Sequence, residues 1–188
     1  MENMIDETGK FDFNLLRDFA KKSEIDAFLS EVPRAVLVGS SLFRGWFDKD
    51  EFKKKSAIKE TVMFLQSPEQ KNQEAKLKLL EKHIYPLFRT EHFEKKNNFI
   101  LKVGRSSKND IVLLDKSISS KHAEFHITVG DKKKPTYSIK DYGSSNFTIV
   151  NGKRLEPFWE KELKYGDVIR FGRFSLVLIK PKDLYSKL

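Results

Sequence analysis

The chain has 188 residues and no cysteine. Disulfide staples, thiolate metal sites and cysteine nucleophiles are therefore excluded, and a cytoplasmic, reducing location is expected. No apolar run approaches the roughly 20 residues needed to cross a bilayer. The polar, acidic stretch from Met1 to Asp12 lacks the basic and apolar blocks of a secretory signal. Gly104 and Gly143 are not followed by the Gly-Lys-Ser/Thr ending of a nucleotide-phosphate loop. A strained serine elbow and an acid–base carboxylate pair are also missing, so no catalytic residue is expected. There are no internal repeats and no low-complexity tract.

Charge is plentiful but uneven. The net charge is +9, and residues 1–82 are balanced, so the whole excess falls in residues 83–188. A basic half attracts phosphorylated partners, nucleic acid or acidic surfaces, and sign alone does not choose among them.

The apolar pattern changes character at the same place. Phe13, Leu16, Phe19 and Ala20 repeat at helical spacing, and Ser23 to Asp26 reads as a capped restart that carries Ile25, Phe28, Leu29 and Val32 up to Pro33. Ala35–Val38 reads as a short strand, residues 48–60 as a charged face, and Thr61–Leu65 as another strand. Ser67-Pro68-Glu69-Gln70 opens a helix whose stripe is Leu77, Leu80 and Ile84. These readings make residues 1–82 a small α/β unit. Short strands follow at close spacing: Tyr85–Arg89, Phe99–Val103, Ile111–Leu113, Ala123–Thr128, Tyr137–Asp141, Thr148–Val150, Val168–Phe171 and Phe174–Ile179. Such spacing implies a sandwich or barrel. Asn151-Gly152 marks a two-residue hairpin, and Gly130 to Pro135 a charged loop.

The turns between these strands hold a specific set of groups: Gly104-Arg105, Ser119-Ser120-Lys121-His122, Asp141-Tyr142-Gly143-Ser144-Ser145-Asn146, Asn151-Gly152 and Gly166-Asp167-Val168-Ile169. A peptide phosphate carries about −1.5 to −2 charges and three acceptor oxygens. An arginine forks onto two of those oxygens, hydroxyls donate to the third, and an asparagine amide both donates to and accepts from a peptide backbone. His122 and His126 do not read as a zinc pair, because strand spacing sets them roughly 13 Å apart on one face. No metal and no cofactor are expected.

In this order the stretches resemble the forkhead-associated (FHA) domain, a phosphothreonine-binding module, over about residues 85–180. The resemblance implies a mainly β fold: an FHA-like antiparallel β-sandwich of eleven strands binding through loops at one end. It would occupy residues 83–182, after an N-terminal helical α/β extension at 1–82 and before a tail at 183–188. It implies that Arg105 binds phosphate, that Ser119 hydrogen-bonds it, that Lys121 assists, and that Ser145 lies near it. Asn146 would hold the peptide main chain, with Gly104, His122 and Asn151 as framework. The implied function is a non-catalytic signalling adaptor that binds a threonine-phosphorylated protein and acts with Ser/Thr kinases. The sequence departs from the family at Phe147, where glycine is usual; a β-carbon at positive φ costs about 1–2 kcal/mol, which questions the placement of Asn146. Ser117 replaces a residue that is basic in some members.

Two other readings compete. Phe147 and the N-terminal unit suit a phosphate-independent scaffold. Phe158, Trp159 and Tyr165 lie near Lys161, Lys164, Arg170 and Arg173, which suits nucleic acid if the rings are exposed. The rings are expected to fill the core, so nucleic acid is not the expected partner.

Overall fold

The computed structural model describes residues 2–40, 43, 83–88, 98–129 and 134–188. The charged stretch 48–60, the strand at Thr61–Leu65, the helix opened by Ser67 and most of the 130–135 loop lie outside the described residues. Ile84, read above as the end of a helical stripe, lies in a strand.

The described residues form a mainly β protein. Its strands are β1 (Val36–Gly39), β2 (Ile84–Pro86), β3 (Phe99–Gly104), β4 (Ile111–Val112), β5 (Ala123–Thr128) and β6 (Thr136–Asp141). They continue with β7 (Thr148–Val150), β8 (Lys153–Arg154), β9 (Glu160–Leu163), β10 (Val168–Phe171) and β11 (Phe174–Ile179). One sheet has the order β2-β1-β11-β10-β7-β8 and the other β4-β3-β5-β6-β9. All paired strands are antiparallel except β3 and β4, which run parallel. β1, from the segment read as an extension, is seated between β2 and β11.

Alternation builds the second sheet. Ala123, Phe125 and Ile127 of β5 turn into the core, and Leu101, Phe125 and Ile139 face one another across β3, β5 and β6. Such cross-strand pairs are the unit of sheet stabilisation. The first sheet is apolar on both faces. Leu176 and Leu178 of β11 join the core between the sheets, while Val177 and Ile179 join a second cluster behind it. A strand covered on both sides reads as a continuous apolar run, as Phe174–Ile179 does.

Three short helices cover the back of that sheet: α1 (Phe13–Lys22), α2 (Ile25–Glu31) and α3 (Pro181–Tyr185). They contribute Leu16, Ala20, Phe28 and Leu184 to the second cluster. The Tyr185 hydroxyl donates to the Ser23 carbonyl at 2.8 Å, fixing α3 to the turn between α1 and α2. Asp12 caps α1 by accepting from the Asn14 and Leu15 amides. The restart at Ser23 is a correction: the N-cap of α2 is Glu24, and no side chain caps it. The segment read as a tail begins inside α3.

β9 went unread in the sequence. Only Leu163 in it is buried, and its register with β6 places Glu160 opposite Lys140 and Glu162 opposite Ser138. A second correction concerns the aromatics before and after it. Phe158, Trp159 and Tyr165 are exposed, Trp159 at 75 %. Phe158 and Trp159 sit at the turn between β8 and β9, where no facing layer reaches them.

Candidate functional site

Three loops meet at one end of the sandwich. The first follows β3 and starts with Arg105. The second, between β4 and β5, runs through Ser117, Ile118 and Ser119. The third, between β6 and β7, carries Ser145 and Asn146.

The middle loop is the seam. The Arg105 amide donates to the Ser119 carbonyl at 2.9 Å. The Arg105 Nε donates to the Ile118 carbonyl at 3.2 Å. From the other side, the Ser145 amide donates to Ser119 Oγ at 3.1 Å, and Asn146 Nδ2 donates to the Ser117 carbonyl at 2.9 Å. Arg105, Ser119, Ser145 and Asn146 are thus brought to one rim. Arg105, Ser145 and Asn146 are exposed and Ser119 half-buried. The two terminal nitrogens of Arg105 have no partner among the described residues. The hydroxyl hydrogen of Ser119 is available because its oxygen is the acceptor in the contact with Ser145.

Lys121 is placed differently. Its Nζ lies 3.2 Å from Glu124 Oε1 and 3.4 Å from the centre of the Tyr142 ring. A cation so paired and stacked is already compensated.

Buried groups hold the three loops in register. Gly104 is required by close approach: a β-carbon there would stand 2.4 Å from the Ser120 carbonyl oxygen and 2.8 Å from Asn109 Nδ2. Asn109 Nδ2 itself donates to the carbonyls of Ser106 and Ser120 at 2.7 Å each. His122 is fully buried, edge-on to Phe171 at 5.6 Å. Its Nδ1 accepts from the Ser119 amide at 3.1 Å, so the proton resides on Nε2, which faces the Phe147 carbonyl at 3.4 Å. One imidazole therefore bridges the second and third loops. β5 begins at Ala123, one residue later, so strand alternation does not reach His122. It turns inward while His126 lies outside beside Glu124 and Glu160, a correction to the expected shared face.

Burial holds the His122 imidazole below its ordinary value, against the opposing pull of the Phe147 carbonyl and Asp141. The neutral form is favoured on folding, so its contribution is fully present above the unfolded value near 6.5 and is lost as pH falls below it. Urea unfolding should show a lower midpoint at pH 5.5 than at pH 7.5. His122→Asn, which cannot titrate, should flatten that difference.

Asp141 organises the third loop. It is fully buried, and its carboxylate accepts from the Ser144 amide and hydroxyl at 2.9 and 2.7 Å and from the Thr148 amide and hydroxyl at 2.8 and 2.7 Å. Phe147 adopts the left-handed conformation that glycine would supply, with φ 54°, and the Arg154 guanidinium lies 3.1 Å over its ring. The turn keeps its shape, and Asn146 still reaches the seam. Asn151 has φ 51° and the following Gly152 79°, as the two-residue hairpin demands. The Asn151 side chain donates to Asp167 Oδ1 and accepts from the Val168 amide, tying β7–β8 to β10.

Comparison with known proteins matches residues 101–172 to the family model described as FHA domain. Over 76 residues the chain is 40% identical to an oxoglutarate dehydrogenase inhibitor of Corynebacterium efficiens, covering 40% of this chain and 48% of the relative. It is 37% identical over 76 residues to the glycogen accumulation regulator GarA of Mycolicibacterium smegmatis, covering 40% and 43%. The match spans about half the length of these relatives. Among solved structures, the MEK1 FHA domain in complex with a HOP1 phosphothreonine peptide aligns at 30% identity and a TM-score of 0.43, over 52% of this chain and 88% of that one.

Proposed function

We propose that this chain, which carries an FHA domain at residues 101–172, is a non-catalytic regulator that binds threonine-phosphorylated protein downstream of a Ser/Thr kinase. The observation that carries this reading is the seam, where Arg105, Ser145 and Asn146 are all hydrogen-bonded to residues 117–119. Relatives named as an inhibitor and as a regulator support a binding role.

Each group has a task set by its chemistry. The terminal nitrogens of Arg105 fork onto two phosphate oxygens, with Nε anchored so that little rotamer freedom is lost on binding. Ser119 donates its hydroxyl to the phosphate, and Ser145 lies beside it. Asn146 spends one amide hydrogen on Ser117 and offers the other hydrogen and its oxygen to the peptide backbone. Lys121, compensated by Glu124, contributes field rather than a direct bond. Gly104, His122 and Asn151 brace the loops.

A calorimetric titration tests the proposal with matched peptides bearing phosphothreonine, phosphoserine or free threonine. The phosphothreonine peptide should bind at least about tenfold more tightly than the unmodified one, the equivalent of one charge-assisted hydrogen bond. Equal affinity for the phosphorylated and free forms would overturn it.

A further inference from the structure

The turn between β8 and β9 has features that folding does not explain. Phe158 has φ 67°, in the left-handed region that a bulky side chain rarely enters. Its ring is not hidden in exchange: Phe158 is 59 % exposed and Trp159 75 %. Strain of this kind persists where surrounding contacts impose it, and it concentrates at binding surfaces. Here the Phe158 amide donates to the Asp141 carbonyl at 2.8 Å, so the turn is fixed to the end of β6.

That fixing sets the rings beside the site. The Phe158 ring lies 3.5 Å from where a Gly143 β-carbon would stand and meets the Tyr142 ring edge-on at 5.8 Å. Gly143 is two residues from Ser145, whose amide is bonded to Ser119. On the far side of the same loop, Phe147 is also left-handed and lies under Arg154. A second bulky aromatic is thus held at positive φ, and the two flank the loop that carries Ser145 and Asn146.

We infer that Phe158 and Trp159 form an apolar shelf that receives a large aliphatic or aromatic side chain of the bound phosphopeptide. The inference rests on the phosphothreonine reading of the adjoining rim. An extended peptide advances about 3.3 Å per residue. The shelf is therefore reached about two to three residues from the phosphothreonine, and it supplies sequence preference where the phosphate contacts supply none.

The test uses the full chain and phosphothreonine peptides in a glycine background, with leucine or phenylalanine placed singly at each flanking position. Wild type should favour one flanking position by about tenfold, the scale of one buried apolar side chain. Trp159→Ala should erase that preference and leave the all-glycine phosphopeptide within about twofold of wild type. Phe158→Gly removes ring and strain together, so it should lower the preference without lowering the unfolding midpoint, which separates a binding role from a structural one. No positional preference in wild type, or a preference untouched by both variants, would overturn the shelf while leaving the phosphate site standing. Failure of every phosphopeptide to bind would overturn both readings. A fluorescent single-stranded oligonucleotide provides the last arm: salt-sensitive binding lost in Trp159→Ala would assign the rings to nucleic acid instead.

Discussion

Arg105→Ala should weaken phosphothreonine-peptide binding by about 2–3 kcal/mol, roughly 30- to 150-fold, when measured by titration calorimetry at moderate salt. Each charge-assisted hydrogen bond contributes about 1.5–3 kcal/mol, and solvent exposure of the guanidinium keeps the forked pair toward the lower end. The same substitution should leave the unfolding free energy within about 0.5 kcal/mol, as is usual at an exposed position. The single side-chain hydrogen bond of Arg105 within the protein, to the Ile118 carbonyl, is long at 3.2 Å. Arg105→Lys keeps the charge and loses the fork, so it should restore less than half of the loss. An alanine variant that binds as well as wild type would remove Arg105 from the site.

Asp141→Ala should have the largest effect on stability. It removes the acceptor from two amides and two hydroxyls of Ser144 and Thr148, all in a buried setting. A buried polar group left without a partner costs about 1–3 kcal/mol, so the expected loss is about 3 kcal/mol or more by urea unfolding. That is a large part of a typical stability of about 5–15 kcal/mol. Asp141→Asn keeps the shape but loses the charge and one acceptor, and should fall between wild type and alanine. Both variants should also bind phosphopeptide less well, because the loop holding Ser145 and Asn146 is no longer fixed at its base. The pH response has a definite sign. Burial pushes the Asp141 carboxyl up, but the hydrogen bonds from Ser144 and Thr148 together outweigh it and hold it below its ordinary value of 3.8. A carboxyl depressed on folding stabilises the protein above its unfolded pKa, and the contribution is lost as pH falls through the folded one. Wild type should therefore gain nothing from Asp141 between pH 5 and 7, and lose its contribution only below about pH 4. An Asp141→Ala variant as stable as wild type would contradict this role.

Much of the fold was legible because hydrophobic alternation and turn chemistry agree along the chain. Ala123–Thr128, Thr148–Val150, Val168–Phe171 and Phe174–Ile179 were read with the bounds that the structure gives them. β9 was not, because an edge strand of sequence Glu-Lys-Glu-Leu buries a single side chain and carries no apolar signal. Its existence is decided by pairing with β6, a non-local fact. Phe158 and Trp159 were misplaced for the converse reason. Hydropathy assigns such rings to a core, whereas the amide of Phe158 is held to Asp141 in a turn that leaves them in solvent. The partner of Lys121 was equally invisible, since Glu124 meets it only once the loop ahead of β5 has turned.

The rim was the more readable part. Gly104-Arg105, Ser119 and Ser145-Asn146 each sit at a turn, and turn residues are punctuated strongly in sequence. The doubt raised by Phe147 resolves in backbone terms: the residue accepts the glycine conformation, and Arg154 covers its ring. Ser117, read only as a missing basic residue, proves to anchor both sides of the rim. Its carbonyl accepts from Asn146, and its hydroxyl accepts from the Arg173 amide at 3.1 Å.

The most direct test is an amide-resolved NMR titration of the full chain with a phosphothreonine peptide, run beside its unphosphorylated twin. Shifts that saturate at Arg105, Ser119, Ser145 and Asn146 with the phosphorylated peptide alone are the predicted result. Shifts confined to another face, or the same shifts with both peptides, would contradict it.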